Sequence, residues 1–111
     1  MNKLITVAVI DSGIYPHIDF KNRIVAFKDF VNGRKNAYDD CGHGTHVSGI
    51  IAGSGYASHG RIKGICPAAS LAGIKVLDRL GNGRIENVLD AAGWIISHQK
   101  DLNIRVVNIS F

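Results

Sequence analysis

The sequence predicts an α/β fold built on a mostly parallel sheet. Short runs rich in β-branched residues alternate with stretches whose apolar residues recur at helical spacing, the order of parallel strands joined by helical crossovers. The runs are continuously apolar, as strands buried on both faces are. At 111 residues, with 46% apolar and 20% charged, the chain has the composition of one globular domain, residues 1–111, with a modest core.

The first strand is ITVAVI, residues 5–10, which stops at the turn sequence Asp11-Ser12-Gly13. RIVAFKDF, residues 23–30, is the second. NGRKNAYDDCG is a polar loop rich in Gly and Asn, the composition of connecting turns. THVSGIIAG then reads as a helix, with Val47, Ile50 and Ile51 at helical spacing and small residues that permit close packing. GSGYASHGRIKG is loop again, and SLAGIKVL, residues 70–77, is the third strand. After the turn DRLGNG, residues 84–102 place Ile85, Val88, Leu89, Ala92, Ile95 and Ile96 on one helical stripe. IRVVNISF, residues 104–111, is a fourth strand. It ends on Phe111 with no polar cap, an unusual finish for a complete domain.

Composition disfavours several roles. The net charge of +4, from 13 Lys and Arg against 9 Asp and Glu, is scattered, and Arg34-Lys35 is the only adjacent cationic pair. No basic stripe points to nucleic acid. No run of about 18 apolar residues points to a membrane span. The N-terminal run MNKLITVAVID lacks a small-residue cleavage site and reads as a strand, not a signal peptide. Cys41 and Cys66 make no disulfide framework. The location is cytoplasmic if this N-terminus is native and extracellular if the chain is a processed fragment. GSGYASHG has Ser58 where a phosphate loop needs glycine, and it follows a helix.

The chemistry concentrates in DDCGHGTHVSGIIAG, residues 39–53. His43 and His46 are three apart with Gly44 and Thr45 between them, whereas a zinc-protease helix spaces its histidines four apart around a glutamate. No further Cys or His stands at ligand spacing, so no metal is expected. Cys41 beside His43 does not by itself make a thiol nucleophile, because folds bring catalytic Cys and His together from distant segments. Asp11 stands at the carboxyl end of a strand, where open α/β sheets gather functional groups. It reads either as a turn aspartate accepting backbone N–H groups or as the carboxylate that orients a histidine base and stabilises its imidazolium. His43, at a helix start that disfavours the imidazolium, fits the second division of roles.

VAVIDSGI, GHGTHVSGIIAG, GICPAASLAGIKVLD and VVNIS together resemble the subtilisin-like serine proteases, the subtilases, nearly from end to end. The resemblance implies a three-layer sandwich around a mostly parallel sheet, and hydrolysis of peptide bonds by an Asp-His-Ser triad. Asp11 matches the triad aspartate, His43 the base, and His46 a packed structural histidine. Gly81-Asn82-Gly83 resembles the edge segment that pairs with substrate backbone. Ser110 matches the start of the segment lining the pocket for the residue before the scissile bond.

Other family features have no counterpart here. None of Ser12, Ser48, Ser54, Ser58, Ser70, Ser97 and Ser110 lies in the G-T-S-x-A context of the family nucleophile. Asn108 matches an earlier strand, not the oxyanion-hole asparagine. The resemblance thus predicts the N-terminal portion of a catalytic domain, incomplete at the C-terminus, whose partners are a polypeptide substrate and the C-terminal part of that domain. The alternative is a catalytically inactive fragment that binds peptide or a complementary chain. The loop GSGYASHGRIKG lacks Asn, Asp and Glu, so the calcium site many relatives carry there is not expected. No cofactor is implied. His17, His59 and His98 are expected on the surface.

Overall fold

An apolar strand hidden on both faces needs a covering layer on each side, and the chain supplies one helix to each. The computed structural model describes residues 4–111; residues 1–3, which open the N-terminal run and include Lys3, lie outside the described residues. The elements are strand β1 (Thr6–Asp11), β2 (Ile24–Asp29), helix α1 (His43–Ala52), β3 (Ser70–Lys75), helix α2 (Ile85–Leu102) and β4 (Ile104–Ile109), with single 3-10 turns at Ile18–Phe20 and Tyr56–Ser58. The sheet order is β2-β3-β1-β4, and every pairing is parallel.

Every residue of β1 is buried, and its alternation feeds two cores. Ala8 and Ile10 pack with Ala72, Ile74, Ala91 and Ile95 on the α2 side. Val7 and Val9 pack with Leu71, Ile14, Phe20 and Ala52 on the α1 side. Each fully buried Ile or Val contributes roughly 1.5–3 kcal/mol. The result is the α/β fold that the sequence pattern predicts, with the three layers that the family resemblance implies.

Both helices are rotated in part from the faces their apolar spacing suggests: Val47, Ile51, Val88 and Ile95 pack against the cores as expected, and the other large apolar residues of those stripes do not. On α1 the buried residues are Gly44, Ser48 and Ala52, while Ile50 is exposed. Small side chains at four-residue intervals let the helix lie close to the sheet, and the larger Val47 and Ile51 pack only from its flank. On α2 the inward residues are Ala91 and Ile95, flanked by Val88, Trp94 and Leu102. Ile85, Leu89 and Ile96, expected on the buried stripe, are 68%, 65% and 75% exposed.

The end of α2 is tied to the start of β1. Asn103 adopts φ 53° and donates its N–H to the carbonyls of Gln99 and Lys100, a left-handed helix stop. The carbonyl of Asn103 accepts from Thr6 N at 3.0 Å, and the Thr6 hydroxyl donates to Leu102 O at 2.5 Å. The chain therefore reverses within one residue and lays β4 beside β1. On its other side β4 is an edge with Val106, Val107 and Ile109 exposed, an open template for pairing.

The isolated chain should therefore self-associate through β4. Val107→Lys should shift its sedimentation toward monomer, at a stability change within about 0.5 kcal/mol, as for other exposed positions. A monomeric parent chain at high concentration would contradict this.

Candidate functional site

Asp11 is the last residue of the buried central strand, and its side chain has no solvent exposure. A carboxylate in that position must be hydrogen-bonded. The N–H of Ser12 donates to Oδ1 at 2.7 Å. His43 places Nδ1 2.9 Å from both Oδ1 and Oδ2. The imidazole is 48% exposed, so one edge of the ring meets a buried anion while the rest faces outward.

His43 begins α1 next to Gly42, whose φ of 101° is left-handed and which offers no side-chain cap. Asp39 caps the helix instead. Its carboxylate accepts from the N–H groups of Cys41 (3.1 Å), Gly42 (2.8 Å) and Thr45 (2.9 Å), and from the Thr45 hydroxyl at 2.6 Å. The Ser12 hydroxyl donates to Asp39 at 2.9 Å and accepts from Gly44 N at 2.9 Å. Ser12 thus joins the residue after Asp11 to the residue after His43. Burial opposes ionisation of Asp39. The hydrogen bonds from the Thr45 hydroxyl, from Gly42 and Thr45 N–H and from the Ser12 hydroxyl outweigh it and hold the pKa below its ordinary value.

Two glycines make the approach possible. A Cβ on Gly44 would lie 2.2 Å from Gly13 O and 3.2 Å from the Asp11 Cβ. A Cβ on Gly13, whose φ is +122°, would lie 2.2 Å from Tyr38 O. Helix start, strand end and incoming loop therefore touch backbone to backbone.

That loop is anchored at its far end by Asp29. Its carboxylate accepts from the N–H groups of Val31, Asn32 and Arg34 and from the Tyr38 hydroxyl at 2.5 Å. Burial disfavours this charge too, but the Tyr38 hydroxyl and the three N–H groups keep the pKa low.

The other predicted residues fall into place unevenly. Val76 N and Leu77 N donate to Asp11 O at 2.9 and 3.2 Å, so the exit of β3 is bonded to the peptide of Asp11. Beyond it, Asp78 Oδ1 accepts from Leu80 N and Asn82 N, and Gly83 bridges antiparallel to Leu77. Gly81, Asn82 and Gly83 line a groove with Leu77, Val88 and Phe111. Gly83 is required by its own chain: a Cβ there would lie 2.9 Å from Val76 O and 2.7 Å from a Leu77 methyl. Ser110 is exposed, and its hydroxyl donates to Asn108 at 2.5 Å.

His46 corrects the expectation of a packed histidine. It is exposed, one turn beyond His43, and lines an apolar groove with His17, Ile50, Ile62 and Ile65. Its position on α1 turns it away from the face that Gly44, Ser48 and Ala52 bury. His17 and His59 are exposed as expected, whereas His98 is half-buried and stacks on Trp94 at 4.2 Å.

Sequence reading missed Asp39, Ser12, Thr45 and Lys75. Asp39 precedes the helix start by four residues, outside the usual capping spacing. Lys75 had a signal: a lysine inside the apolar run AGIKVL is a charge placed where both faces are buried. Among the described residues no group of three or more His, Cys, Asp or Glu converges as a metal cluster, and no serine hydroxyl bonds His43.

A protein-family model described as the Subtilase family matches residues 2–111. The serine protease AprX of Bacillus subtilis (strain 168) is 46% identical over 99 residues, which are 89% of this chain and 22% of that protein. Subtilisin E of the same organism is 40% identical over 108 residues, 96% of this chain and 26% of that protein. A solved structure described as a cold adapted subtilisin-like serine proteinase superposes with a TM-score of 0.73 at 34% identity, covering 84% of this chain and 32% of the other. The chain spans about a quarter of the length of these two curated relatives.

The capping network sets an acid limit. Because the folded-state pKa of Asp39 lies below the ordinary carboxylate value, its contribution is complete above about pH 4. It is lost as pH falls through the folded value. Asp39→Ala should cost on the order of 1–2 kcal/mol, as removal of a helix cap does, and should flatten the stability–pH curve in that acid range. An unchanged acid limb in Asp39→Ala, measured by urea unfolding, would count against this role.

Proposed function

This chain belongs to the subtilase family, and on that premise we propose that it carries the aspartate and histidine of a serine endopeptidase's Asp-His-Ser triad. The observation behind this reading is the contact of His43 Nδ1 with a wholly buried Asp11 carboxylate while the ring stays open to solvent. Ionised Asp11 accepts only, so Nδ1 carries the proton and Nε2 keeps its lone pair. Nε2 takes the proton of a serine hydroxyl as that oxygen attacks the peptide carbonyl, and Asp11 stabilises the imidazolium that forms. His43 then returns the proton to the leaving amine, and water repeats the sequence on the acyl-enzyme.

Residues 1–111 act in this reading as the N-terminal part of the catalytic domain. The substrate is a polypeptide whose extended backbone pairs with Gly81-Asn82-Gly83 as an added strand, with Ser110 at the start of the segment lining the pocket for the residue before the scissile bond. The nucleophile and oxyanion donor come from a complementary part of the domain. Ser12 does not serve, because its hydroxyl is committed to Asp39 and Gly44. For the 111 residues alone, a binding-only role is the second reading, favoured by the lack of a serine bonded to His43 among the described residues.

With the complementary part supplied, His43→Ala should abolish peptide turnover with little change in KM. Asp11→Asn should lower kcat by on the order of 10⁴, the effect of losing tautomer control in the triad of an unrelated protease fold. The chain alone should not react with a fluorophosphonate. Stoichiometric labelling of a serine in the folded monomer, or near-normal kcat in folded His43→Ala, would overturn the reading.

Cys41 is exposed in the turn that delivers His43, its N–H bonded to Asp39. A bulky thiol reagent should inhibit the complemented enzyme by obstructing His43, and Cys41→Ser should be active and resistant. A folded but inactive Cys41→Ser would give the thiol a chemical role.

A further inference from the structure

Lys75 has no solvent exposure, and the mechanism above leaves it unused. An ammonium removed from water costs several kcal/mol unless charge and hydrogen bonds replace its hydration. All three of its donors are engaged: Nζ donates to Ser12 O at 2.6 Å, to Leu77 O at 2.7 Å and to Asp40 Oδ1 at 2.7 Å. The ring of Tyr38 lies over it, 5.2 Å from Nζ to the centroid.

Its three acceptors belong to three segments that lead to the site. Ser12 directly follows Asp11. Asp40 stands in the turn before His43. Leu77 starts the segment that ends in Gly81, Asn82 and Gly83. Asp11 and Lys75 are register partners on adjacent strands, so their side chains leave the same face at the carboxyl end of the sheet.

We propose that Lys75 is a positioning residue: its buried ammonium clamps the end of β1, the approach to His43 and the exit of β3 into the one arrangement that holds Asp11 against His43. Stability alone does not call for a lysine here, because replacing buried ion pairs with apolar side chains is often neutral or stabilising. An ammonium supplies direction. Its three donors fix two backbone carbonyls and one carboxylate relative to one another, which apolar packing does not specify. The inference rests on the reading of Asp11 and His43 as a functional pair.

The test is the tautomer of His43, read in the full 111-residue chain from its imidazole ¹⁵N shifts. The parent should hold the Nδ1–H form, because Asp11 accepts that proton. A parent in the Nε2–H form would overturn the pair itself. Lys75→Met should lose the Nδ1–H preference while methyl dispersion shows the fold intact. Asp40→Ala removes one arm of the clamp from the solvent side and covers the case in which Lys75→Met does not fold; it should shift the tautomer in the same direction. Asp40→Asn keeps an acceptor for the ammonium and should behave as the parent. An unchanged Nδ1–H form in folded Lys75→Met or Asp40→Ala, with the parent as expected, would overturn the clamp and leave the pair standing.

Discussion

A carboxylate without access to water must find its partners within the protein, and in this chain that requirement falls on Asp11. Its strand is buried on both faces, so neither layer of the sandwich offers it solvent. The space beyond the carboxyl end of the strand is what remains. There it takes the N–H of Ser12 and the ring of His43. Much of the surrounding structure serves to bring that ring close enough: glycines at 13 and 44 where side chains would collide, and a helix capped from the preceding loop instead of by its own first residue.

The supporting groups form a graded shell. Asp39 and Asp29 are anions whose burial is offset by hydrogen bonds from backbone and hydroxyl donors. Lys75 is a buried cation that takes carbonyl oxygens and one carboxylate. Each is costly to bury alone and acceptable when fully bonded. The segment between β2 and α1 has little regular structure, yet it is held at Asp29, Tyr38, Asp39 and Asp40. That is how an irregular segment can deliver the first residue of α1, His43, to a fixed place beside Asp11.

The alternation of strands and helices was legible because continuous β-branched runs and helical spacing are strong, local signals. The pairing of Asp11 with His43 in space is legible because their motifs are dense and ordered along the chain. The faces of the helices are legible only in part: Val47, Ile51, Val88 and Ile95 pack inward as their spacing suggests. Spacing places large apolar residues inward, but the close approach of α1 to the sheet selects Gly44, Ser48 and Ala52. On α2, Ala91 took the place expected of Leu89. The exposure of His46 has the same cause, since its direction depends on how α1 is rotated. The capping role of Asp39 depends on the path of a loop, which no periodicity records. A strand pattern does not mark the role of Lys75, because only the folded chain brings its three acceptors together.

The order of strands across the sheet has a bearing on how the chain is made. The most deeply buried strand is also the earliest synthesised, and neither neighbour is near it in sequence. Thr6 pairs with Ser70 on one side and Ile104 on the other. While the polypeptide emerges from the ribosome, residues 6–11 must wait for most of the chain before either edge can be satisfied. Long-range parallel pairings of this kind form slowly and leave apolar strands exposed meanwhile. The α2–β4 reversal at Asn103, which bonds directly to Leu4 and Thr6, is then the late event that closes the wait. It delivers β4 and the second helical layer to β1 together.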